Sequence, residues 1–103
     1  HMSRGLGDVY KRQKADPAAG QLLVSLRIDS EAVVRSNCIW ALGRLMDQLV
    51  QPRQAEIVEA LVSALLHDGE ISVRDEARTA LEQLEDPLVL ERLQALINDG
   101  FIL

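Results

Sequence analysis

The sequence predicts an all-α protein, an α-solenoid of antiparallel helix pairs, and three observations predict it. The chain repeats itself: shifted by 39 residues, LLVSLRIDSEAVVRSNCIWALGRL from Leu22 lies without a gap on LVSALLHDGEISVRDEARTALEQL from Leu61, with nine of 24 positions identical. Repetition at such a period marks arrays of helix pairs, each burying a face against the next. Within each copy the apolar residues recur at helical spacing, Val34, Cys38, Ala41, Leu42 and Leu45 in the first and Val73, Ala77, Ala80, Leu81 and Leu84 in the second. One stripe of each helix therefore faces a core. Composition agrees: 48% of the 103 residues are hydrophobic, yet Trp, Tyr and Phe occur once each, leaving Leu, Val, Ile and Ala to pack helix on helix.

The first thirteen residues stand apart. His1-Met2 is the remnant that a cloning junction leaves after tag removal, and SRGLGDVYKRQ, Ser3 to Gln13, resembles a translated sequencing-library adaptor. That resemblance implies an open reading frame from an environmental, metagenomic assembly whose natural start lies near Lys14. Residues 1–13 are expected to be a tail and residues 14–103 the repeat domain. A first helix is expected at about 17–28, with Asp16 as its cap and Pro17 at its first position. Asp29-Ser30 breaks the chain before a second helix at about 31–47. Pro52 starts a third at about 52–66, Asp68-Gly69 ends it, and a fourth covers about 70–85. Asp86-Pro87 repeats the acid-proline start for a fifth helix at about 87–98, where VLERLQALINDG from Val89 partly copies VEALVSALLHDG from Val58. Repeat one thus spans about 16–47, repeat two about 52–85 and a partial third about 87–103, some two and a half repeats.

The second helix of copy one, VVRSNCIWALGRLMD, resembles the short bacterial HEAT-like repeat of the phycobilisome-lyase type. Copy two, SVRDEARTALEQLED, keeps its Val, Arg and Ala-Leu anchors but has Arg78 and Glu82 where that pattern favours Ala and Gly. The resemblance implies that Asp29, Arg35, Asp68 and Arg74 form a ladder of hydrogen bonds between neighbouring repeats. A planar guanidinium fork suits that task, since it can hold a turn carbonyl and a carboxylate together. It also implies an alternative function, a subunit related to the lyases that attach or detach bilins.

Copy one is more apolar than copy two. Val24, Ile28 and Ile39 stand where copy two has Ser63, His67 and Arg78. These three are expected to form an open N-terminal edge, covered by a homodimer partner or by Val9 and Tyr10 of the tail, because each buried aliphatic side chain stabilises by about 1.5 to 3 kcal/mol.

Opposite the core stripe, helical geometry places Ser36, Trp40, Gly43 and Asp47 in copy one and Asp75, Thr79, Glu82 and Asp86 in copy two. In HEAT-like solenoids the second helices line the concave face, so these positions are expected to bind a protein partner. An outward Trp beside a glycine gap and an acidic row has the make-up of an interaction hot spot. Gly43 needs a reason, since glycine inside a helix costs about 1 kcal/mol relative to alanine. From Lys14 onward eight basic and fifteen acidic residues remain, a net charge of −7, with eleven of the acids after Gln51. Such a surface repels nucleic acid and suits a basic or mixed protein segment.

Chemistry is sparse. The lone Cys38 lies on the core stripe, which excludes an internal disulfide and a cysteine metal site and fits a reducing, cytoplasmic setting. His67 closes a helix with no native metal-ligating companion, and the acids Asp75, Glu76, Glu82, Glu85 and Asp86 read as a solvated face. No glycine-rich phosphate loop or nucleophile triad occurs, so neither a cofactor nor enzyme activity is expected. No apolar run is long enough to span a membrane. The preferred function is a protein-interaction scaffold; a structural C-terminal cap, with Phe101-Ile102-Leu103 folded over the last helix, is the other alternative.

Overall fold

The computed structural model describes residues 2–103, with side chains from Val9 onward. His1, half of the dipeptide expected to be a cloning remnant, lies outside the described residues. Five helices follow in order: α1 (Met2–Ile28), α2 (Ala32–Leu45), α3 (Arg53–His67), α4 (Ile71–Gln83) and α5 (Pro87–Asn98), with a 3-10 turn at Met46–Gln48 after α2. No strand occurs among the described residues.

The turns inside each helix pair are built alike. Asp29 accepts from the Glu31 backbone N–H at 2.8 Å, and Asp68 accepts from that of Glu70 at 3.0 Å. Each aspartate bridges its own turn and presents the next helix. Asp86 caps α5 through the Leu88 N–H at 2.8 Å, with Pro87 in the first turn. At the other end of α5 Gly100 takes φ 82°, and the Phe101 N–H reaches back to the Leu96 carbonyl at 2.9 Å. Only glycine enters that left-handed region without strain.

The start of α1 differs from the sequence expectation. Asp16-Pro17 does not open the helix: α1 runs from Met2 through Pro17 to Ile28, so the tail continues the first helix. Ala15 and Ala19 are both buried, which makes the segment around Pro17 part of the packed stripe. Proline costs one backbone hydrogen bond there. The Asp16 carboxylate, free of capping duty, pairs with Arg53 of α3 at 2.9 Å.

The helices form two layers, α1, α3 and α5 in one and α2 and α4 in the other. α2 packs as closely on α4 as on α1, whereas α1 and α3 barely touch. Close contact in one layer and splay in the other curves the array, so α2 and α4 line the concave side. Across the splayed layer the helices are joined by ion pairs, Arg53 to Asp16, Arg27 to Glu56 at 3.5 Å and Arg92 to Glu59 at 2.6 Å. The core between layers is aliphatic, with Leu23, Ile39, Leu42, Ile57, Leu61, Val73 and Leu81 fully buried. No polar side chain is buried among the described residues.

The expected N-terminal edge needs correction. Ile39 is 0% exposed. It lies one turn from Arg35, which reaches Asp68, and one turn from Gly43, which faces Ala80, so it packs into the seam with repeat two. Val24 and Ile28 are exposed, but so are Ser63 and His67, their equivalents in the repeat with neighbours on both sides. Exposure there belongs to the outer face of the array and does not mark a missing neighbour. The tail does not cover them either. Val9 faces Leu49 and Val50 across a small apolar notch, and Tyr10 is exposed with the Lys14 ammonium 4.9 Å from its ring.

Candidate functional site

The seam between the repeats is organised by Arg35. Its Nε and Nη2 donate to the two carboxylate oxygens of Asp68 at 2.9 and 3.0 Å, and its Nη1 donates to the Asp29 carbonyl at 2.9 Å. One guanidinium thus closes its own turn and grips the turn of the next repeat. Arg74 makes the matching bond to its own turn, Nη1 to the Asp68 carbonyl at 2.7 Å. Arg35 holds the Asp68 carboxyl below the usual carboxylate range, burial opposes it, and the Glu70 N–H adds to the lowering. Next along α2 come Ile39 and Gly43. On α4 the equivalent positions are Arg74, Arg78 and Glu82. Arg78 pairs with Glu82 at 3.9 Å and donates to the Leu103 carbonyl. The apolar seam stripe of repeat one is a charged, solvated flank in repeat two.

On the concave side an open groove of about 870 Å³ runs between α2 and α4 and on to the starts of α3 and α5. α2 contributes Trp40, Gly43 and Arg44, and Asp47 follows in the 3-10 turn; α4 contributes Glu76, Thr79, Ala80 and Gln83. Of the residues singled out from the sequence, Trp40, Gly43, Asp47, Thr79 and Asp86 line this groove, and Ser36, Asp75 and Glu82 do not. The reason is translational. The sectors that α2 and α4 turn to the groove overlap without coinciding: the equivalent pairs Trp40 and Thr79, Arg44 and Gln83, and Asp47 and Asp86 all line it, whereas Gly43 lines it and its equivalent Glu82 does not. Asp75 and Glu82 turn instead toward the charged outer flank of α4.

Trp40 is 57% exposed, with the Arg44 guanidinium 5.4 Å from its ring centroid. Stacking holds the indole upright on the rim without burying it. Beside it stand the carboxylates of Asp47, Glu76 and Asp86 and the amides of Gln48, Gln51, Gln54 and Gln83. Gln54 is committed to structure, donating to the Met46 and Leu49 carbonyls at 2.9 Å each. Gln48 and Gln51 were not anticipated from sequence, because they come from the α2–α3 connection, whose path no periodicity describes.

Gly43 is not required by the seam. A Cβ there would meet the Ala80 Cβ at 3.7 Å, an ordinary contact. Gly43→Ala is therefore expected to raise the unfolding free energy by about 0.5 to 1 kcal/mol through helix propensity, read from urea denaturation; a loss of stability would show a closer helix approach than the seam has here.

Cys38 is buried, and desolvation, with the Asp29 charge second, pushes its thiol up. It is a core side chain, remote from reactive thiolate character. Among the described residues no cluster of three or more His, Cys, Asp or Glu is placed to hold a metal ion, and no helix is long and apolar enough to cross a membrane.

Two-layer stacking, turn aspartates and an arginine fork between repeats are together the construction of a helical repeat array, and the model of one such family, HEAT repeats, matches residues 17–101. The chain belongs to the HEAT repeat family. Comparison with curated proteins and with solved structures finds no match. In HEAT terms α1 with α2 and α3 with α4 are the two helix pairs, and α5 follows them.

Proposed function

We propose that this HEAT repeat chain is a protein-interaction scaffold whose concave groove takes a basic or mixed segment of a partner protein. The observation that carries the reading is Trp40, a large aromatic held upright and exposed on the rim of a groove bearing three carboxylates and one guanidinium. Curved repeat arrays use such extended concave surfaces for recognition, and an exposed indole beside complementary charge supplies both anchoring area and orientation.

The test is selection of peptides from a random library on the full chain, followed by titration of the dye-labelled enriched peptides with their fluorescence anisotropy as the signal. Enriched peptides are expected to carry Lys or Arg beside apolar residues. Trp40→Ala combined with Glu76→Lys is expected to weaken them at least about tenfold while circular dichroism stays unchanged. Equal binding by that double variant overturns the assignment of the groove.

A second reading has its own observation. The outer flank of α4, with Arg74, Arg78 and Glu82 in place of a packing stripe, has the polar outer face that terminal repeats need. Phe101 and Leu103 remain exposed while Ile102 packs on the core, so the C-terminal residues cover the end only in part. The closing repeat of an array can still offer its groove to a partner.

A further inference from the structure

From Arg27 onward every arginine but one has an oxygen partner. Arg27, Arg35, Arg53, Arg78 and Arg92 pair with carboxylates, and Arg74 donates to the Asp68 carbonyl. Arg44 has none among the described residues. It shares the concave groove with three carboxylates, yet its guanidinium lies over the Trp40 ring, 5.4 Å from the centroid. Those carboxylates lack donors in turn. Among the described residues nothing donates to the side chains of Asp47 and Glu76, and Asp86 receives the Leu88 and Val89 N–H groups at Oδ1, leaving Oδ2 without a donor. The stacked pair is no part of the repeat's construction, since copy two has Thr79 and Gln83 at the equivalent positions.

We propose that Arg44 is an internal occupant of the partner's cation site: the Trp40 face that it covers receives an arginine side chain of the partner, and binding displaces Arg44 from the ring. This rests on the groove reading above and adds to it the residue that the partner supplies and a competitor that the chain itself supplies. The ring already holds a guanidinium at a separation that cation–π attraction uses. A planar guanidinium can stack through its face while its edge donates to carboxylates, which a compact ammonium cannot match. Arg44 does not do both, because it is tethered four residues along the same helix and in its stacked position pairs with none of the three acids. An arginine entering from the open side of the groove has no such tether. Exchange costs little, since Trp40 and Arg44 are both exposed and such a stack is weak in water. Once released, Arg44 has Asp47 three residues on as an acceptor, so its charge is not left facing the incoming cation.

The probe is a capped, dye-labelled hexapeptide of alternating arginine and leucine, titrated into the full chain by fluorescence anisotropy. Arg44→Gln, which removes the competitor at little cost in helix propensity, is expected to tighten binding at least about threefold. In a Trp40→Ala background the same change is expected to gain at least about twofold less, because only the general loss of like charge remains. The hexapeptide with lysine in place of arginine is expected to bind more weakly to the original chain. By NMR, the Arg44 side-chain protons, shielded by the indole, are expected to move at saturation to the shifts that they have in Trp40→Ala. Arg44 protons that stay shielded, an equal gain with and without Trp40, equal affinity for the lysine peptide, or no binding of the hexapeptide each overturn the proposal alone. So does weaker binding by Arg44→Gln, which would make Arg44 the contact for an acid of the partner. Equal binding of the hexapeptide by the Trp40→Ala and Glu76→Lys double variant overturns the groove reading and this proposal with it.

Discussion

Ile39→Ala is expected to remove about 2 to 5 kcal/mol of unfolding free energy, the cost of truncating a fully buried isoleucine and leaving a cavity. Ile39 is 0% exposed between the Arg35–Asp68 fork and the Gly43–Ala80 contact. It has no surface toward which the site can relax, so the void forms in the seam that joins the repeats. A domain of this size holds on the order of 5 to 15 kcal/mol in total, and the loss is a large share of it. Val24→Ala and Ile28→Ala, on the exposed outer face of α1, are expected to change stability by less than about 0.5 kcal/mol. Urea denaturation of the three variants distinguishes the cases. A small effect at Ile39 with a large one at Val24 or Ile28 would restore the edge that the bare sequence suggested.

Asp68→Ala is expected to lower the thermal midpoint by several degrees more than Asp29→Ala. Both substitutions remove a turn acceptor, but only the first also strips the Arg35 fork of its partner in a half-buried seam. The difference between the two variants isolates the fork from the turn. Its pH dependence is set by the lowered Asp68 carboxyl. A carboxyl depressed in the folded state contributes stability that is present above its unfolded value, near 4, and is lost as pH falls through the folded value. The gap between the original chain and Asp68→Ala should accordingly hold from pH 7 to about 5 and close below about 4. A gap that persists undiminished at pH 3 would assign the effect to packing. Asp16 and Glu59 are lowered too, by the bonds from Arg53 and Arg92, but those pairs are solvent-screened and contribute little to the acid limb.

Legibility differed between elements for physical reasons. The turns at Asp29 and Asp68 and the start of α5 at Asp86-Pro87 could be read because each is local: the acceptor, the N–H it satisfies and the fixed proline φ lie within three residues. Asp16-Pro17 carries the same local signal and yet lies inside α1. There the competing influence is tertiary, because Ala15 and Ala19 are buried and Asp16 is drawn to Arg53 on another helix. Ile39 was misplaced for a related reason. Comparing copies showed that it is more apolar than Arg78, but not whether the difference faces the repeat before or the repeat after.

By itself the sequence determined that this is a stack of helix pairs, because a 39-residue repeat with 3.6-residue periodicity leaves each pair a single face to bury. It also determined which stripe faces the core, since that depends only on angles around one helix axis. Only the tertiary structure decided the direction of the seam and the composition of the groove. Those depend on which sector of α2 meets which sector of α4, a relation between helices that repetition carries identically in both copies and therefore cannot disclose.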